Sequence, residues 1–166
     1  DIRVVLPYHF AIKQKGFKPE FIGEFGVNSL NGQVLCQVYL YDKDGLPIYF
    51  LDGEPIDEKS PVYSSEPIND GYKFVFFSLA SLGLAEFLNF RIDILQANDW
   101  HTATSIYALK ALDDLPKNLL GTNTLLSLHN LPFMGFGVQK ALSEYDLPPS
   151  ENKILPEWAR HAPLPL

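Results

Sequence analysis

Two segments of the chain combine an apolar run with a polar turn directly behind it. Residues 91–97 have the composition of a strand and lead into the polar turn 98–103, after which a helical pattern begins. The apolar run 124–128 leads in the same way into His129 and Asn130. The order strand, helix, strand predicts a right-handed crossover between parallel neighbours. We therefore expect both turns at the carboxyl edge of one sheet, where ligands of open parallel sheets bind.

The first half of the chain predicts a β-hairpin. Apolar or small residues alternate with polar ones over 21–27, which indicates a half-exposed strand. Asn31-Gly32 is a strong two-residue turn signal, and the apolar segment 34–41 follows it as the second strand. A further turn at 42–45 leads to a short strand at 47–51.

A long apolar helix and a long loop occupy the middle of the chain. Residues 71–90 are apolar almost all round, which predicts a helix buried against a sheet. The loop 52–69 before it holds three prolines and several acids, and loops of this length in compact domains are often functional. Together the elements predict an α/β fold, in which the remaining parts are a strand at 4–7, a Lys-rich loop at 8–19 and helices at 102–112 and 138–145.

The length and charge of the chain limit the number of domains and the kinds of ligand that we expect. A chain of 166 residues is long enough for one domain that buries about 70% of its unfolded surface. The formal charge of -7 and the lack of any Lys/Arg run argue against nucleic acid and favour a neutral or polar ligand. No run of about 18 apolar residues and no signal-peptide pattern occurs, so we expect no membrane partner and a cytoplasmic protein. Cys36 stands alone in an apolar run, which favours a small buried side chain.

Asp99 and His129 are the leading candidates for chemistry, and each has a structural alternative. Asp99 precedes the helical residues, so it could be an N-cap that accepts from free backbone N–H groups. His129 follows an apolar strand, where it is either a satisfied core polar group or a residue presented to a ligand. Trp100 fits the core, and His101 fits a solvated or capping position in the first helical turn. Adjacent parallel strands would bring Asp99 and His129 into one crevice, which favours a functional site.

Several familiar sites are not supported by the motifs. The sequence lacks a Gly-x-Ser-x-Gly elbow, although a Ser-His-Asp triad is possible on paper. A metal site built from Asp99, His101 and His129 is conceivable, but no helical His pair accompanies it. A Gly-x-Gly-x-x-Gly dinucleotide fingerprint is also absent.

The segments around these residues resemble the bacterial glycogen synthases and plant starch synthases. Residues 97–103 match the Ala-Asn-Asp-Trp-His-Thr-Ala turn of that family, and residues 127–135 resemble its Thr-Ile-His-Asn-Leu-Ala-Tyr-Gln-Gly segment. Residues 72–78 are similar to its Arg-Phe-x-Phe-Phe-Ser helix start. Shorter likenesses occur at 3–7 and 48–52, so that the order and spacing match across nearly the whole chain.

The resemblance implies a fold, a reaction and a set of site residues. The fold is the Rossmann-like N-terminal half of a GT-B glycosyltransferase, with a mostly parallel sheet flanked by helices and a β-hairpin. The reaction is retaining transfer of glucose from ADP-glucose to the non-reducing end of an α-1,4-glucan. These two partners are expected, without nucleic acid, metal or cofactor. The implied catalytic residues are His129 and Asp99, and the implied substrate-binding residues are Asn130, Trp100, for which packing is favoured, and His101.

The chain also departs from the family. The family's first strand with its Lys-x-Gly-Gly-Leu loop and its whole C-terminal domain have no counterpart in residues 1–166, which we expect to be one partial domain, inactive alone. Lys73 replaces an Arg, Phe133 a Tyr and Met134 a Gln. One alternative is a non-catalytic glucan-binding or interaction domain derived from the same fold. A flavodoxin-like nucleotide binder is a weaker alternative, because its phosphate loop is missing.

Overall fold

The computed structural model describes residues 1–56, 61–130, 133–135 and 138–148. Strands dominate the first third of the chain, and helices alternate with strands after it. The strands are β1 Val4–Pro7, β2 Glu20–Ser29, β3 Gly32–Lys43, β4 Leu46–Asp52, β5 Ile94–Asn98 and β6 Asn123–Ser127. The α-helices are α1 Phe10–Lys13, α2 Pro67–Phe87, α3 Asp99–Ala111 and α4 Gln139–Glu144.

Four of the strands form a mixed sheet in the order β1-β4-β3-β2. β1 runs parallel to β4, whereas the β4–β3 and β3–β2 pairs are antiparallel. The predicted hairpin is therefore confirmed. Its loop consists of Leu30 and Asn31, one residue earlier than the predicted turn, and Gly32 directly after it adopts a positive φ of 119°. Glycine tolerates this conformation without steric cost.

The two strands that carry the candidate chemistry form a second, parallel sheet. β5 pairs with β6 from Ile94 opposite Asn123 to Asn98 opposite Ser127, and α3 connects them. The predicted crossover between parallel neighbours is confirmed, and so is the α/β fold with parallel strand pairs, helices and a hairpin. Because the register ends at Asn98 and Ser127, the polar turns behind the two strands lie side by side.

Helix α2 supplies the centre of the core. It contacts the hairpin sheet on one side and α3 and α4 on the other, and its Phe76 is fully buried. A Cβ atom on Gly53 would lie 2.6 Å from the ring of Phe76, so glycine permits the close approach of α2 to the loop after β4. Cys36 of β3 is fully buried in this core, and burial raises the pKa of its thiol to about 12. The prediction of a small buried side chain is confirmed.

The boundaries of α2 follow from its capping residues. The helix begins at Pro67, earlier than the predicted residue 71, because the fixed φ of proline suits the first helical turn. It ends at Phe87, where Asn89 adopts a left-handed φ of 46° and the N–H of Phe90 donates to the carbonyl of Ala85. This is the Schellman arrangement that ends many helices. Within the part of the chain described here, no helix is long and apolar enough to cross a membrane.

A buried ion pair in α2 holds the loop that precedes the helix. The Nζ atom of Lys73 lies 3.2 Å from the Oδ1 atom of Asp70 and also donates to the carbonyls of Pro61 and Val62, at 3.1 and 3.2 Å. Asp70 in turn accepts the backbone N–H of Ser64 at 2.9 Å. Lys73 is only 1% exposed and Asp70 6%. The pair therefore fixes the loop to the helix with charge-assisted hydrogen bonds.

We expect Lys73→Met to lower the free energy of unfolding of the natural full-length protein by about 3–5 kcal/mol, because it leaves Asp70 buried without its cation. Lys140→Met, at an exposed position of α4, is the matched control and should change it by less than about 0.5 kcal/mol. Urea denaturation followed by fluorescence measures both. If Lys73→Met behaves like the control, the buried pair does not stabilise the fold.

Candidate functional site

The turns behind β5 and β6 are joined by one carboxylate. The Oδ1 atom of Asp99 accepts the backbone N–H of His129 at 2.6 Å and that of Asn130 at 3.1 Å. Asp99 reaches this position from a left-handed backbone, with a φ of 53°. Aspartate is one of the few residue types that adopt this conformation without a large cost. The sequence prediction that Asp99 and His129 lie together is therefore confirmed.

The alternative interpretation of Asp99 as an N-cap is wrong. Its carboxylate accepts from the neighbouring loop, and Asn98 occupies the capping position of α3 without a side-chain cap bond. Thr102 stabilises the start of the helix instead. Its Oγ1 atom accepts the N–H of Asn98 at 2.5 Å and donates to the carbonyl of the same residue at 2.9 Å.

The surroundings of Asp99 keep its carboxylate ionised. Partial burial by itself raises the pKa of this carboxyl, but the backbone N–H groups of His129 and Asn130 outweigh that effect. Together with the nearby imidazoles of His129 and His101, they lower the pKa below its ordinary value. Asp99 is therefore a hydrogen-bond acceptor at neutral pH and not a proton donor.

His129 and Asn130 present their side chains to solvent at the end of β6. Both residues are exposed, so the prediction that His129 is available to a ligand is favoured over a satisfied core group. The Nε2 atom of His129 lies 3.3 Å from the Oδ1 atom of Asn98, the last residue of β5. The site thus offers an imidazole and a primary amide, which can both donate and accept hydrogen bonds.

Trp100 and His101 lie beneath the turn, in a cluster around Phe74 of α2. The Trp100 ring is 8% exposed and packs edge-on against Phe74 at 5.1 Å between ring centres, in agreement with the favoured packing interpretation. The His101 ring lies 4.6 Å from Phe74 and 4.4 Å from Trp100. Direct contact of Trp100 or His101 with substrate stays a prediction.

His101 does not cap the helix, and its side chain is half-buried, so the predicted solvated or capping position is not observed. Its Nε2 atom is buried and has no hydrogen-bond partner among the described residues. Burial lowers the pKa of His101, although Asp99 and Asp70 act in the opposite direction. The ring is therefore neutral at physiological pH and contributes to the site mainly through its contacts with aromatic neighbours.

Two residues of this region were missed by the sequence interpretation. His9 follows β1, is 6% exposed, and lies 6.3 Å from the Phe74 ring on the same aromatic cluster. Burial, and to a smaller extent the charge of Lys73, lower the pKa of His9 to about 4. Asn98 was the other omission. In both cases a polar side chain at or just after the end of a strand was the available signal, but only the strand register shows which of these side chains lie close together.

The arrangement suits hydrogen bonding to a hydroxylated ligand. An ionised carboxylate fixes the loop, and exposed donors and acceptors stand at its tip. Among the residues described, no group of three His, Cys, Asp or Glu side chains is placed to hold a metal ion. Phe133 is 62% exposed, and Met134 is half-buried and packs against the core.

Comparison with known proteins identifies the family. A family model described as the starch synthase catalytic domain matches residues 1–161. The chain is 33% identical over 151 residues to the glycogen synthase of Finegoldia magna, a match that covers 90% of this chain and 31% of that protein. It is 33% identical over 137 residues to the glycogen synthase of Clostridium novyi, covering 81% of this chain and 28% of that protein.

A solved structure supports the fold. The catalytic domain of starch synthase IV from Arabidopsis thaliana, bound to ADP and acarbose, superposes with a TM-score of 0.75 at 19% identity. The match covers 88% of this chain and 30% of that one, so the chain spans about a third of the length of the proteins it matches. The fold is that of a GT-B catalytic domain, and the chain belongs to the glycogen and starch synthase family.

Proposed function

We propose that this chain forms the acceptor-side half of the cleft of a glucosyltransferase. The enzyme would move glucose from ADP-glucose to the non-reducing end of an α-1,4-glucan with retention. Membership of a family of glycogen and starch synthases supports the activity. The observation that carries the proposal is the hydrogen-bonded junction of Asp99 with the loop of His129, at the carboxyl ends of two parallel strands.

The chemistry of retaining transfer explains why these residue types suit the site. The transition state has oxocarbenium character at the sugar ring and is stabilised by dipoles that are oriented before the reaction. His129 meets this need because its backbone is fixed by Asp99 while its imidazole is exposed. We assign its ring and its backbone carbonyl to the positioning of the donor glucose.

In this proposal the two carboxylate oxygens of Asp99 have different roles. Its Oδ1 atom accepts hydrogen bonds from the backbone N–H groups of His129 and Asn130, and these bonds fix the position of the loop relative to the sheet. No described residue donates to its Oδ2 atom, which can accept a hydrogen bond from a sugar hydroxyl. The lowered pKa keeps both oxygens available as acceptors at neutral pH.

The other predicted binding residues surround this junction. Asn130 is exposed and can donate to and accept from a hydroxyl group. Trp100 and His101 support the turn from below through their contacts with Phe74. We assign the ADP group to the part of the enzyme outside this chain, where basic side chains and a helix N-terminus would meet the diphosphate without a metal.

We expect His129→Ala to lower the kcat of the natural full-length enzyme about 100- to 1000-fold, the usual cost of one positioned transition-state contact. Because the side chain is exposed, the melting temperature should hardly change. Asn123→Ala, at the exposed opposite end of β6, is the matched control and should leave both quantities unchanged. Measurements of kcat and of the melting temperature for both variants test this prediction. An unaltered kcat for His129→Ala would remove this residue from the site.

We also expect the 166-residue chain by itself to transfer no glucose. The chain spans only about a third of its relatives, and the proposed nucleotide site lies outside it. Incorporation of radiolabelled glucose from ADP-glucose into glycogen should occur with the natural full-length protein and stay at the no-protein level with the chain alone. Glucose transfer by the chain alone would contradict the proposal that the ADP group binds to a part of the enzyme outside this chain. A full-length protein that binds glycogen but transfers no glucose would favour the non-catalytic alternative.

A further inference from the structure

We propose that Asn98 is a positioning residue that sets the orientation and the tautomer of the His129 ring. Its Oδ1 atom accepts a hydrogen from Nε2 of His129, at 3.3 Å, and thereby leaves Nδ1 unprotonated and able to accept from a ligand hydroxyl. The inference deepens the proposed function, on which it rests, because it concerns how the imidazole meets the sugar.

The contact is specific to the geometry of the two strand ends. Asn98 is the last residue of β5 and pairs with Ser127, two residues before His129. Its side chain therefore bridges from one strand to the loop behind the other. Both side chains are exposed, so the approach of the two polar atoms is not enforced by close packing around them.

The backbones on either side of the contact are fixed independently of it. Thr102 accepts the N–H of Asn98 and donates to its carbonyl, while Asp99 accepts the N–H of His129. The remaining freedom lies in the side-chain torsions of Asn98 and His129. A hydrogen bond between those side chains consequently decides which way the imidazole faces.

The chemistry of the two groups determines the proton position. A neutral imidazole carries one N–H donor and one acceptor nitrogen, and an amide oxygen can only accept. The hydrogen bond a histidine makes through one nitrogen fixes the state of the other. With Oδ1 of Asn98 facing Nε2, the proton resides on Nε2 and the lone pair of Nδ1 is free for the ligand.

The same strand pair offers a matched control. Gln96, two residues before Asn98 on β5, donates from Nε2 to the Oγ atom of Ser127 at 3.1 Å. It is exposed and bridges the same two strands, but its partner is Ser127 and not His129. Removal of this bridge tests whether activity depends on the Asn98–His129 contact in particular or on any side-chain hydrogen bond between β5 and β6.

The kinetic test compares three variants of the natural full-length protein with ADP-glucose and glycogen. We expect Asn98→Ala to lower kcat about 10- to 100-fold, as when a group that orients an active side chain is removed. Its melting temperature and that of Gln96→Ala should match the parent, and Gln96→Ala should keep the parent kcat. Asn98→Asp keeps the acceptor and should retain more activity than Asn98→Ala.

Either of two kinetic results would overturn the proposal: a parent-like kcat for Asn98→Ala, or Asn98→Asp as impaired as Asn98→Ala. A readout that needs no activity separates this inference from the proposed function. Nitrogen-15 NMR of the histidine rings, with the His129 signal assigned by its loss in His129→Gln, should show a single Nε2–H tautomer in the parent and a mixture in Asn98→Ala. A parent protein with Nδ1–H or with the same mixture contradicts the inference, whether or not it transfers glucose.

Discussion

The site depends on one contact between neighbouring turns. The carboxylate of Asp99, at the start of α3, accepts hydrogen bonds from the backbone N–H groups of His129 and Asn130 in the loop after β6. Without this contact, the described backbone of the loop after β6 would have no hydrogen bond to the neighbouring turn, and His129 would be linked to β5 only through its side chain. Asp99 makes this contact from a left-handed backbone, with a φ of 53°. Left-handed backbone at residues other than glycine is often found where a fold holds functional groups.

The aromatic cluster beneath the turn connects this junction to the rest of the fold. Phe74 of α2 contacts the rings of Trp100, His101 and His9, so the residues that follow β1 and β5 pack on the same side chain. The buried Lys73 next to Phe74 fixes the loop before α2. Displacement of α2 would therefore disturb the site even though the helix itself lies in the core.

The sequence predicted the elements of the site better than the contacts within it. The polar turns behind two apolar strands indicated that Asp99 and His129 lie side by side, since parallel pairing places consecutive strand ends at one edge. Nothing local distinguished an N-cap at Asp99 from a carboxylate that serves the next loop, because this depends on the φ of one residue and on the strand register. His9 and Asn98 were missed for the same reason, as their partners lie far away in the sequence or across the sheet.

Amide hydrogen exchange tests the central claim most directly, because it reads the backbone N–H groups that Asp99 holds. In the natural full-length protein, Asp99→Ala should accelerate exchange at His129 and Asn130 by about tenfold or more, the loss expected for hydrogen bonds to a charged acceptor. The amides within β6 should exchange at the parent rate. Unchanged exchange at His129 and Asn130 would show that the carboxylate does not hold this loop, and the account of the site would fail.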